Sequence, residues 1–372
     1  MAVPTFELEV WMHEHGTRPL RYDLSGSTGP VWTVAELCAL EDLTPGALGG
    51  ELLTYAPITG SEELREAVAE HTSSAPEHIQ ITSGAAEGLA MLVAAGATPD
   101  GNVVFPDPGY PSFGALAKIF DQEPRPYLLD RAVGFQLDVQ GVIELIDDRT
   151  GLVIINTPHN PTGATVATAD MRAIQKAADL RGATVAIDQV QHPITHGGAS
   201  PSGAEIEGTA LVGDMSKAMS LAGLRLGWVI DADPERRQRY FDLRGFFTLS
   251  TSPLSERLAA IALRQRQRVL GRAQSIGTQN LKVLSTFFNR HSDRFRWVAP
   301  QGGLIAFPWV VGEPSARPLC EQLAAAGILL SPGDCFGHPE HFRLAFGSTE
   351  SETFAQAIAA LEEFIVAVPA QG

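Results

Sequence analysis

The sequence predicts an α/β protein, with a largely parallel, buried sheet in a large domain and a smaller α+β domain beside it. Three observations carry that expectation. Short β-rich runs alternate with helix-period segments through the middle of the chain, the pattern of a parallel sheet with crossover helices. Runs such as Leu-Val-Ile-Ile at 152–155 are apolar without alternation, as strands covered on both faces are. From about residue 252 the rhythm gives way to long helical stretches and then short strands.

Taken in order, the first 45 residues lack any strand–helix rhythm and are expected to pack with the smaller domain. Strands are predicted at 79–82, 102–105, 127–129, 152–156, 184–188, 210–213 and 226–231, where β-branched and apolar residues gather. Helices at 62–72, 87–95 and 169–180 fit between them by apolar period. Residues 252–291, dense in arginine and alanine, read as one or two long helices. A Gly302-Gly303 turn, short strands near 304–307 and 342–346, and an amphipathic helix from Glu350 complete the chain. The expected limits are a large domain over 46–245 and a small one over 1–45 and 246–372.

Composition narrows the function. Of 372 residues, 44% are hydrophobic and 19% charged, which is enough apolar content for a real core. A formal charge of −16 argues against nucleic acid as the main partner, because phosphate backbones need a basic footprint. Cys38, Cys320 and Cys335 stand far apart with no CxxC pair, so neither a disulfide framework nor a metal motif is read. No cationic segment leads into an apolar one at the N-terminus, and no apolar run approaches a membrane span. A cytoplasmic location is expected.

In open α/β sheets, ligands bind beyond the carboxyl ends of the strands, and unusual residues collect there. Ser83-Gly84-Ala85-Ala86 follows the first strand and opens a helix; Asp107-Pro108-Gly109-Tyr110 follows the second. Thr157-Pro158-His159-Asn160 follows the strand ending at Asn156, Asp188 ends the next, and Asp214-Met215-Ser216-Lys217 follows 210–213. Five loops would converge on one crevice.

Each residue admits a functional and a plain structural role. Gly84, Ala85 and Ala86 leave backbone N–H groups open to a phosphate at a helix start, or they simply begin a helix. Lys217 is one of four lysines, against 23 arginines, and alone follows a strand end. In a dry cleft its pKa would fall from about 10.4 and it would attack an aldehyde; otherwise it is solvated. Arg225 can grip a phosphate through two parallel hydrogen bonds or form a surface ion pair. Asp188 ends an apolar strand where a carboxylate needs a partner, either a protonated pyridine nitrogen or a backbone group. Tyr110 can stack on an aromatic ring or belong to the core.

Four strings, in this order and spacing, extend over nearly the whole length: YAPITGSEELREAV from Tyr55, NTPHNPTG from Asn156, SKAMSLAGLRLGW from Ser216 and FRLAF from Phe342. With them the chain resembles the class I/II aminotransferases, pyridoxal 5′-phosphate (PLP) enzymes of fold type I. That resemblance implies a mostly parallel seven-stranded sheet and transfer of an amino group between an L-amino acid and a 2-oxo acid. It implies that Lys217 forms the Schiff base and moves the substrate proton, while Asp188 keeps the pyridine nitrogen protonated. Asn160 would bond the ring's 3′ oxygen, Tyr110 would cover the ring, and Gly84, Ala85, Ala86 and Arg225 would hold the phosphate. Tyr55 would reach the phosphate of a neighbouring subunit, making the site a property of a homodimer. Arg343 would clamp the substrate α-carboxylate, and Gly26 would lie near the substrate.

Three departures from the family pattern stand out. Gln191 replaces a tyrosine that donates to the ring oxygen; an amide can donate but cannot ionise. Asp214 replaces a serine or threonine at the phosphate, where a carboxylate must turn away or carry a proton. Ala85 lacks the usual hydroxyl. Weaker cofactor retention is the expectation.

A narrower likeness, in DLSGSTGPVWTVAEL from Asp23, LRGFFTLSTSPLSERLAA from Leu243 and SPGDCFG from Ser331, is to the capreomycidine synthase-like branch. It implies an alternative, PLP-dependent elimination and cyclisation of an arginine-like amino acid in specialised metabolism. A regulatory PLP-fold module would carry a DNA-binding domain ahead of the fold, and family-like sequence begins by Asp23. A nucleotide-binding protein would need a GxGxxG or GxxxxGK[ST] loop, and neither occurs. His13, His15 and His192 read as packing or solvated residues, with His192 closest to the expected site.

Overall fold

The structure is a computed structural model that describes residues 3–198 and 200–367; the outer limits expected for the small domain, residues 1 and 372, lie outside them. Seven strands form one sheet in the order Ile79–Thr82, Gly227–Ile230, Ala210–Asp214, Thr184–Asp188, Thr150–Asn156, Asn102–Asp107, Glu123–Leu128. Gly227–Ile230 runs antiparallel to both neighbours and every other pairing is parallel. The sheet is therefore mostly parallel and seven-stranded.

The unbroken apolar runs exist because both faces are covered. Along the strand Thr150–Asn156, Leu152 and Ile154 join a core with Leu89, Met91 and Phe113 from the helices Ala85–Gly96 and Ser112–Ile119. Val153 and Ile155 point the other way and pack with Met171 and Ile174 of Thr168–Asp179. Successive side chains alternate faces, so two cores share one strand. Polar groups begin where each strand leaves the sheet, which concentrates chemistry at one edge.

The strand expected at 127–129 begins earlier, at Glu123. Pro124 and Pro126 hid its start, since proline breaks most strand patterns. Here it is tolerated because Glu123–Leu128 is the outermost strand and pairs only with Asn102–Asp107. The strand expected at 226–231 is Gly227–Ile230, and the helical stretch after 252 divides into Pro253–Arg264 and Arg266–Arg290, broken at Gln265.

Beyond that break a second body forms. Phe342–Ala345 pairs antiparallel with Ile305–Ala306 on one side and Ser331–Pro332 on the other, against the helices Arg266–Arg290 and Ser351–Ala367. The N-terminal segment joins it. Tyr22–Asp23 pairs parallel with Ile328–Leu329, and the buried Trp11 of the helix Glu7–Gly16 donates its indole N–H to Leu330 O at 2.8 Å. That anchor lays the first helix over the strand ends of the large sheet.

Candidate active site

A cavity of about 250 Å³ opens at those strand ends, lined among others by Tyr110, Asn160, Asp188, Lys217, Arg225 and Arg343. Ala85, Ala86 and Gly26 also line it. Gly84 sits just behind, and Tyr55 lies away from it, 78% exposed.

Local structure aims each group. At the helix start, Gly84 adopts φ +80°, and a Cβ there would come within 2.9 Å of Arg225 Nη2. The bare glycine lets the guanidinium approach the free N–H groups of the helix end, which favours an anion. On the next loop, Tyr110 meets Phe113 and Phe6 edge to face, at 5.9 Å each, so its ring plane is fixed. Asn156 Oδ1 accepts the backbone N–H of Asn160 at 2.7 Å, and Asn156 Nδ2 donates to Asp188 O at 3.1 Å. One side chain thus ties two of the loops together.

Asp188 is buried, and its Oδ1 accepts only the Val190 N–H at 3.2 Å. Burial, with the nearby Asp214, raises its carboxyl from 3.8 to about 7. Such a carboxyl is short of one cationic partner. Lys217 Nζ donates to Ser27 Oγ at 3.0 Å. Desolvation lowers its pKa below the usual lysine value, assisted by Arg343 and Arg225 and opposed by Asp214. Arg343 is also buried: Nη2 donates to Ser25 O at 2.9 Å and Nη1 to Asn160 Oδ1 at 3.2 Å. Burial pushes its guanidinium down to about 10, and its Nε–H has no partner.

These residues fit a phosphorylated pyridine aldehyde. The buried Ser216 hydroxyl lines the cavity with no partner, the Gly84 cradle leaves no room for a side chain, and a desolvated amine faces a carboxyl that needs a cation. Two of the departures from the family pattern take definite positions. Asp214 still lines the cavity, but its Oδ1 accepts the Ser216 N–H of its own loop at 2.9 Å, and burial raises its pKa. Gln191, at the position of the family's ring-donating tyrosine, is buried and donates Nε2 to Ser27 O at 3.3 Å. A larger cavity of about 400 Å³ lies beyond Asp214, lined by His71, His192 and Trp228 among others. Its lining contains no lysine or arginine to hold a phosphate or carboxylate, and burial lowers the pKa of both histidines.

Sequence reasoning missed Ser27, and with it Leu8, Glu9 and Met12, which also line the cavity. The three helix residues carry no mark in the sequence, because the Trp11 anchor brings them to the site; Ser27, next to Gly26, is carried in by the pairing of Tyr22–Asp23 with Ile328–Leu329.

The family model described as aminotransferase class I and II matches residues 25–361. The capreomycidine synthase of Streptomyces vinaceus is 31% identical over 372 residues, covering 97% of this chain and 94% of that one. A PLP-dependent aminotransferase from Streptococcus suis superimposes with a TM-score of 0.92 at 25% identity, over 100% of both chains. The PLP-dependent cyclase OrfR superimposes with a TM-score of 0.88 at 26% identity, over 98% of this chain and 99% of that one.

Proposed function

The chain belongs to the class I and II aminotransferase family, and from that premise we propose how its cavity carries out PLP-dependent amino transfer between an L-amino acid and a 2-oxo acid. One observation carries the assignment of roles: a single desolvated lysine amine, Lys217, stands in a cavity that also holds Asp188 and Arg343. PLP, when bound, supplies an aldehyde that condenses with amines and a ring that draws electrons away from the substrate Cα.

The remaining work belongs to the chain. Arg225 and the N–H groups at Gly84, Ala85 and Ala86 grip the phosphate. Asp188, ionised against a cation, holds a proton on the pyridine nitrogen. Asn160 would bond the ring's 3′ oxygen and Tyr110 would shield the ring from water. Arg343 takes the α-carboxylate through parallel hydrogen bonds, which fixes Cα beside Lys217. Desolvation lowers the Lys217 pKa, which favours the uncharged amine that would take the proton from Cα. Tyr55 stands beside the exposed Leu52 and Leu53. We read that apolar stretch as the face a second copy covers, giving a homodimer, and we place the enzyme in the cytoplasm.

Borohydride reduction of the cofactor-loaded enzyme followed by peptide mass mapping tests the assignment. Label on Lys217 is expected; label on another lysine overturns it. A second reading, elimination and cyclisation of an arginine-like amino acid, is favoured by the likeness to capreomycidine synthase along 97% of the chain. An amino donor alone converts a transaminase to its amino-cofactor form, whereas a cyclase makes product with no oxo acid present.

A further inference from the structure

Ser25, Gly26, Ser27 and Thr28 pass along the cavity as a strap between the strand Tyr22–Asp23 and the helix Val34–Ala39. Residues of the site fix it at several points. Arg343 Nη2 donates to Ser25 O at 2.9 Å, Gln191 Nε2 donates to Ser27 O at 3.3 Å, and the Gly29 N–H donates to Lys217 O at 3.3 Å. A Cβ on Gly29 would collide with Ser220 Oγ, so the bare glycine lets the strap lie close against the lysine loop. The result is one buried hydroxyl held against one amine. Ser27 is 7% exposed, and Lys217 Nζ donates to its Oγ at 3.0 Å, the one hydrogen bond that amine makes among the described residues.

Two buried carboxyls, Asp188 and Asp214, line the same cavity, yet the amine bonds a neutral hydroxyl instead. The carboxyls accept the N–H groups of Val190 and Ser216. A carboxylate partner would favour the ammonium form, which cannot accept a proton. A hydroxyl is both donor and acceptor: it accepts an N–H from the charged amine and donates its O–H to the lone pair of the uncharged one. The contact therefore persists in both protonation states, with no net transfer of a proton to the serine. Lysine has a flexible four-carbon stem, and a displacement of about 1 Å can cost about a hundredfold in rate. We propose that Ser27 is a positioning residue that holds the Lys217 amine whenever that amine carries no covalent bond, keeping it in place for proton transfer at the substrate Cα. Gln191 fastens the carbonyl of that same serine, which gives the amide a use at the position where the family carries a tyrosine. This inference rests on the role of Lys217 assigned above.

The chain has four lysines, so NMR of the cofactor-free protein labelled with nitrogen-15 lysine follows the Lys217 amine directly, with Lys217→Arg to assign its signal. Asp188, Asp214, Arg225, Arg343 and Glu9 act on that amine in parent and variant alike, so a change in its titration reports the serine. Ser27→Ala removes an acceptor that favours the charged form more than the neutral one, and the Lys217 pKa is expected to fall by about one unit. Ser27→Thr keeps the hydroxyl and should return the parent value. In the cofactor-loaded proteins, Ser27→Ala should lower kcat about tenfold with KM for amino acids unchanged. The isotope effect of Cα deuteration should rise, because proton transfer is the step that slows. Thermal melts of the alanine variant should match the parent. If the alanine variant leaves either the titration or the isotope effect at its parent value, or if threonine restores neither, the inference is overturned, while borohydride labelling of Lys217 still upholds the aminotransferase assignment. Label on another lysine overturns both.

Discussion

Replacing Asp188 by asparagine should stabilise the cofactor-free protein while weakening its hold on the cofactor. The buried carboxyl has its pKa raised from 3.8 to about 7, chiefly by desolvation. Below about pH 4 it is protonated in both the folded and unfolded chains, and no penalty arises. As pH rises towards 7 the unfolded chain releases the proton but the folded one keeps it, so stability falls by about 1.4 kcal/mol per pH unit. Across roughly three units this amounts to ~4 kcal/mol, after which the loss levels off. Asparagine keeps the oxygen that accepts the Val190 N–H and removes the titration. In urea denaturation of the cofactor-free proteins, the advantage of the variant should grow by about 1.4 kcal/mol between pH 6 and pH 8. With PLP present the order reverses: the variant lacks the anion for the pyridine nitrogen, and PLP affinity should fall at least about tenfold. An advantage that stays flat between pH 5 and 8 would refute the claim that this carboxyl is buried without a cation.

Three further outcomes follow from the geometry. Arg343→Lys loses the parallel pair of donors and should raise KM for amino acids about 30-fold, through ~2 kcal/mol of charged hydrogen bonding, with the cofactor spectrum unaltered in steady-state assays. Gly84→Ala places a Cβ 2.9 Å from Arg225 Nη2 at φ +80°; fluorescence titration should show weaker PLP binding, and thermal melts a loss of about 1–3 kcal/mol. Tyr127→Phe removes a buried hydroxyl that donates to Ile154 O at 3.1 Å, costing about 1 kcal/mol of stability while turnover of the loaded enzyme stays at the parent level.

Much of the site is legible in the sequence because apolar strands end abruptly in polar residues. Asp188 and Lys217 declare themselves that way, and a doubly covered sheet forces it. Arg343 carries no such mark; it is one of 23 arginines, distinguished by family likeness alone. Ser27, bonded to Lys217 across 190 positions, and Glu9, on a helix with no strand rhythm around it, depend on tertiary docking that no local pattern encodes. Gln191 shows the remaining limit. Its identity is plain, but whether its amide faces a ring or the Ser27 carbonyl is a choice made by packing.

The pairing of Tyr22–Asp23 with Ile328–Leu329 also dictates an order of events on the ribosome. The first helix cannot dock until its partners, about three hundred residues downstream, have been translated. At roughly 5–20 residues per second, that is a wait of about 15–60 s. Through that interval Leu8 and Trp11, both buried once docked, remain open to other surfaces in the cell. The lysine loop can be complete while Ser27 and Glu9 are still tethered elsewhere, so an assembled cofactor site is a mark of a finished chain.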